Sequence, residues 1–143
     1  MNYCSPIQRV AVIDSEVMKK YYLKGKAVFT DLPDFYQIEW VWTKNLGRIG
    51  VAAQVAEDRY QIGLSRPYMR AKQQLEPESY DAYFQHVVLH ELSHLSEYVR
   101  GNYHAHHNQE WKREFGRAVS DPTRCTETSS AVSRRAKEIA RTL

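Results

Sequence analysis

Apolar and polar residues change their period several times along the chain, and each change marks an expected element. In FYQIEWVWT, Ile38, Trp40 and Trp42 fall on one face at period two, which predicts a strand with both tryptophans in the core. RIGVAAQVA and EDRYQIGLS continue the strand signal on either side of a polar turn at Glu57 and Asp58. Three strands in an antiparallel meander are therefore expected, with DRYQIGL as a candidate open edge. From Pro77 to Arg100 the period becomes helical. Phe84, Val87, Val88, Leu92, Leu95, Tyr98 and Val99 make one wide apolar stripe, and Gln85, Ser93, Ser96 and Arg100 make the polar face. Pro77 suits the opening of this helix, and Gly101 with Asn102 suits its end. RPYMRAKQQLEPES, just before it, reads as a connector.

The flanks read less uniquely. Ser5, Pro6 and Gln8 fit a helix start, and Asp14 or Ser15 fits a second one. One helix, or a short extended piece followed by a helix, satisfies the pattern, and Gly25 is the expected stop in either case. Beyond the long helix, Trp111, Phe115 and Val119 recur at four-residue spacing from a start near Asn108. A last amphipathic helix over about 129–143 would bury Val132, Ala136, Ile139 and Leu143. The expected architecture is an α+β domain: a three-stranded antiparallel sheet packed on the long helix, with flanking helices.

Composition narrows the class. The 143 residues, 43% hydrophobic, suffice for one domain with a core that needs no disulfides. Cys4 and Cys125 lie near opposite ends without a CxxC pair, so free thiols in a reducing compartment are expected. The longest apolar runs are too short for a membrane span or a signal peptide, which predicts a cytoplasmic protein without a membrane partner. Net charge is +3. From Gly101 onward eight Lys or Arg stand against five Asp or Glu, while residues 1–100 carry twelve of each. KKYYLKGK and SRRAKEIAR have two readings: solvated faces of amphipathic helices, or phosphate contacts to DNA with Tyr21 or Tyr22 stacking on bases.

All six histidines lie between His86 and His107. Within that stretch, HELSH is an H-E-x-x-H arrangement of His90, Glu91 and His94. Residues four apart on a helix stack on one face about 6 Å apart along the axis, so two imidazoles can converge on one ion. Bonds of about 2.0–2.1 Å to Zn²⁺ are then feasible. Glu91, rotated about 100° from His90, stands beside such an ion and suits a general base acting on water there. The motif alone could arise by chance in a chain with six histidines. Its context is more telling, because Glu91 falls in the middle of the apolar stripe, where an unpaired carboxylate is costly. A metal site would compensate for it, and so would an Arg or Lys partner.

Catalytic zinc sites generally use three protein ligands. His86 is about 12 Å along the axis from His94 and cannot join both histidines. The metzincin continuation is absent, with Glu97 and Arg100 where it needs glycine and histidine. Glu114, twenty residues past His94, is an alternative of the thermolysin kind. His104, His106 and His107 follow the turn at Gly101, and the packed stripe of the Trp111 helix would hold His107 most rigidly.

The succession of motifs resembles the SprT-like zinc metallopeptidases, the group that includes the Spartan proteases. HELSH then HNQEW is similar to the family's H-E-x-x-H and H-G-x-x-aromatic pattern, with Asn108 where glycine is usual. IEWVWTKNLGRIGVA and IGLSRPYM resemble its strand, glycine-bearing turn and strand, and its strand ending in Leu-Ser-x-Pro. The likeness covers roughly residues 17–117. It implies a zincin-like fold, Zn²⁺ held by His90, His94 and His107, Glu91 as the base, and protein or peptide substrates, including proteins on or crosslinked to DNA. Relatives often add a C-terminal zinc ribbon. Here the expectation is a single domain over 1–143, with a basic C-terminal helix, one cysteine in that region and no ribbon. Two rival functions share some of these residues: a regulatory peptidase with Glu114 as third ligand, and a non-catalytic binding module that keeps zinc for structure.

Overall fold

The computed structural model describes residues 3–101 and 128–143. Its first regular element is a two-residue strand, β1 (Ala11–Val12), followed by helix α1 (Ser15–Val28). The Asp14 carboxylate accepts the Glu16 N–H at 3.0 Å and caps α1. The extended-piece-plus-helix reading of the N-terminus is thus the one realised, and no helix starts at Ser5. α1 also runs through Gly25, which had been expected to end it.

β2 (Ile38–Thr43), β3 (Gly50–Ala56) and β4 (Arg59–Ser65) join β1 in a four-stranded mixed sheet of order β1-β2-β4-β3. This overturns the expected three-stranded antiparallel sheet. β1 is antiparallel to β2 and β3 is antiparallel to β4, but β2 and β4 are parallel, from Ile38 opposite Tyr60 to Thr43 opposite Ser65. The turn at Glu57 and Asp58 forms as expected. The departure is that β4 lies between β2 and β3, although β2 and β3 are adjacent in sequence.

Burial explains the order. Every residue from Tyr60 to Ser65 is buried, with Tyr60, Ile62 and Leu64 in the main core and the intervening residues covered on the opposite face. A strand covered on both faces belongs in the interior of a sheet. β3 offers small side chains at Ala52, Ala53 and Ala56 and is only partly covered along most of its length. It takes the edge. DRYQIGL, expected as the open edge, is therefore interior.

The stretch read as a connector contains helix α2 (Arg66–Leu75), whose N-terminus is capped by the Ser65 hydroxyl accepting the Tyr68 N–H, with Pro67 in the first turn. A single 3₁₀ turn at Pro77–Ser79 leads into the long helix α3 (Tyr80–Val99). α3 packs against α1 and against the sheet at β3. Gly25 makes the first contact possible: a Cβ there would stand 2.7 Å from Leu92 Cδ1. Met18, Phe29, Trp40, Ile62, Leu64, Leu92 and Leu95 are fully buried between these layers, and Trp42 packs against them half-buried.

The supposed polar face of α3 needs correction. Ser93 and Ser96 of that face are buried, as is the neighbouring Glu97, whereas Val99 from the apolar stripe is 42% exposed. α3 is enclosed well beyond one stripe, and its small hydroxyls permit that because a serine can bond to its own helix. Ser93 Oγ donates to the His90 carbonyl at 2.5 Å. The final helix, α4 (Ser130–Ala140), is capped by Ser129 and buries Val132, Ala136 and Ile139 against Tyr68 and Ala71 of α2. Three of the four positions expected there are buried; the fourth, Leu143, lies beyond the helix end and packs against the cluster only partly buried. The helix expected around Trp111, Phe115 and Val119 lies outside the described residues, as does Cys125; Cys4 is an exposed free thiol. Among the described residues no helix is long and apolar enough to cross a membrane.

Candidate metal centre and active site

α3 carries His90 and His94 one turn apart, and its packing fixes both. The helix has no glycine or proline between Tyr80 and Val99, and Val87, Val88, Leu92 and Leu95 anchor it in the core on both sides of the motif. The two imidazoles meet at 3.2 Å between their Nε2 atoms, with ring centroids 4.9 Å apart. Two zinc bonds of about 2.0–2.1 Å meeting at a tetrahedral angle would separate their nitrogens by about 3.3 Å. The pair is therefore spaced as two ligands of one ion. His90 is buried and His94 half-buried, so the ring nitrogens converge at the margin of the helix and not deep in the core.

Glu91 points elsewhere on the helix, toward β3. A Cβ on Gly50 would stand 2.7 Å from Glu91 Oε2, 2.9 Å from Val87 Cγ1 and 3.0 Å from Glu91 Cγ. The missing side chain at Gly50 is what lets the carboxylate lie against the strand. Glu91 is buried, and among the described residues no hydrogen bond or salt bridge reaches its carboxylate. Burial pushes its carboxyl up to about 8, with the charge of Arg48 pulling the other way. Glu97 makes the contrast plain. It is as deeply buried, yet it is ion-paired to Arg100, which also approaches Asp31 at 3.6 Å.

Two further groups act on this corner: Arg48, given no role by the sequence pattern, and Tyr98, expected only as part of the apolar stripe. Arg48 is in the turn before β3, and Tyr98 is two helical turns beyond Glu91 on the same face of α3. Burial raises the Tyr98 hydroxyl above its ordinary value, Cys4 and Glu91 raise it further, and Arg48 lowers it. Only the glycine-bearing stretch RIGV hinted at this corner, since a glycine inside a strand pattern signals close approach.

Among the described residues no cluster of three metal-ligating side chains forms. His104, His106, His107 and Glu114 all lie outside the described residues, so the pair on α3 is the part of the proposed ligand set that can be placed. His86 is half-buried on α3, one turn before His90. Tyr21 and Tyr22 are buried and bonded to Asp81 and to the Pro33 carbonyl at 2.9 and 2.6 Å, which removes them as stacking platforms for bases.

Comparison with family models gives a match over residues 16–131 to the SprT-like family. The chain belongs to the SprT-like family. The match spans β2, β3, β4 and α3, and with them the histidine pair, Glu91 and Gly50. Residues 1–15, including β1, precede the SprT-like match. Neither curated proteins nor solved structures give a match to this SprT-like chain.

Proposed function

We propose that this protein is a zinc-dependent endopeptidase, with His90, His94 and His107 holding the ion and Glu91 serving as general base. The observation that supports it best is the pairing, on one helix, of imidazole nitrogens 3.2 Å apart with a buried carboxylate that no described cation neutralises by contact. When bound, zinc supplies a Lewis acid that polarises the scissile carbonyl and eases deprotonation of water. His90 and His94 would hold it from one turn of α3.

Glu91 handles the proton. Its carboxylate, next to His90 on α3 and shielded by β3, would accept a proton from the attacking water and deliver it to the leaving amine. The wall of Gly50 excludes bulk water from one side of the carboxylate. An extended peptide then lies along β3, the edge strand beside Glu91 among the described residues, and pairs with it through main-chain hydrogen bonds that are tolerant of sequence. Broad specificity follows. The resemblance to Spartan proteases extends the proposal to proteins bound or crosslinked to DNA as the substrate class.

Metal analysis of the purified protein, combined with a proteolysis assay run with and without single-stranded DNA, tests this reading. Zinc at about one per chain and metal-dependent cleavage are expected. Stable zinc with no cleavage would favour a structural binding module.

A further inference from the structure

The N-terminal segment crosses the sheet on the face opposite α3. It starts beyond one edge and ends at the other. Val10 N–H donates to the Trp42 carbonyl at 2.8 Å, leading into the β1–β2 pairing. Ile7 N–H donates to Gln61 Oε1 at 2.8 Å, and Gln61 is itself held by Glu39, which pairs with Arg9. Gly63 provides the passage: a Cβ there would be 3.2 Å from Ile7 Cγ2 and 2.9 Å from side chains of Thr43 and Val51. At its far end Cys4 N–H donates to the Gln54 carbonyl at 2.9 Å.

That last bond is made on the side of β3 away from β4, where no strand pairs with it among the described residues. Along an antiparallel pair, residues alternate between those whose main-chain groups face the partner and those whose groups face away. Because the Gln54 carbonyl faces away from β4, the groups of Ala52 and Gly50, of the same parity, do so too. The outward row is therefore Gly50, Ala52 and Gln54, and the strap holds the third. Residues 3–12, which make all these contacts, precede the family match.

We propose that the N-terminal strap is a specificity device: by holding the Gln54 carbonyl, Cys4 N–H confines an extended peptide to the Gly50 and Ala52 positions of β3 and limits how much substrate is recognised. This rests on the peptidase reading above, with β3 as the substrate's edge. The group that acts is a main-chain N–H, so Cys4→Pro removes it, while Cys4→Ser keeps it and removes only the thiol. Cys4 is exposed, so neither change disturbs the core.

The test uses fluorescein-labelled peptides lengthened two residues at a time at either end. Binding is measured to full-length Glu91→Gln protein carrying Cys4, Cys4→Pro or Cys4→Ser. In the Cys4 and Cys4→Ser forms, affinity stops rising once the Gly50 and Ala52 positions are covered. In Cys4→Pro the next extension tightens binding about two- to tenfold, the worth of one more main-chain hydrogen bond. Removal of residues 1–4 gives the same gain and guards against a local effect of proline. Identical length dependence in all forms overturns the proposal, as does absence of binding to every form. Binding with the expected pattern, alongside a wild-type protein that cleaves nothing, would sustain the strap and refute the peptidase.

Discussion

Glu91 and Gly50 are in contact: the carboxylate oxygen Oε2 lies 2.7 Å from the point where a side chain on Gly50 would begin. The acid on the helix and the gap in the strand are two halves of one feature. Gly50→Ala must displace either Glu91 or β3, because the obstructing atoms belong to Glu91 and Val87, both on the core helix. Destabilisation of about 1–3 kcal/mol is expected from overpacking. Cleavage should fall at least about tenfold through misplacement of the base. Zinc content should hold, since His90 and His94 converge on a different face of the helix from Glu91. Urea melts, metal analysis and initial rates check the three parts. Wild-type activity in Gly50→Ala would deny that the contact positions Glu91.

The carboxyl of Glu91 gives the zinc-free protein a specific pH dependence. Burial raises it to about 8 in the folded chain, against 4.5 for an ordinary carboxyl. Between those values the folded state holds a proton that the unfolded state has released. The stabilisation is thus complete below about 4.5 and is lost as pH rises toward about 8. Melts of zinc-free wild type at about pH 5 and about pH 8 should show this decline, and Glu91→Gln should remove it. Equal pH slopes for the two proteins would mean that Glu91 is not protonated near neutrality.

Much of this was legible in the sequence, and the misses have physical causes. HELSH fixed the histidine pair because helical spacing is local, and the position of Glu91 in the apolar stripe announced a buried acid. The Ala136 and Ile139 face of α4 was equally plain. Strand order was not, because pairing is decided by the whole sheet: the fully buried row from Tyr60 to Ser65 moves to the interior and separates neighbours in sequence. Gly25 was misread as a stop because a glycine that closes a helix and one that admits a neighbour look alike in one dimension. α2 was missed although Ser65 and Pro67 are cap signals, since its apolar positions Tyr68, Met69 and Ala71 are few.

The ligand set is tested residue by residue. His90→Ala and His94→Ala should each lose zinc, since each removes one of two converging nitrogens. His107→Ala should lose it as well, whereas His104→Ala and His106→Ala keep most of it. Glu114→Gln discriminates the alternative. Full zinc retention in His107→Ala, together with loss in Glu114→Gln, would transfer the third position to the carboxylate.

The central claim is that Glu91 moves the proton during peptide cleavage, and Glu91→Gln tests it most directly. The amide keeps the shape but cannot accept the proton, so cleavage should fall at least about a hundredfold while zinc content stays at the wild-type level. Stability should hold or rise, because a buried carboxylate without a partner among the described residues is replaced by a neutral group. A folded, zinc-loaded Glu91→Gln that cleaves at the wild-type rate would contradict the account.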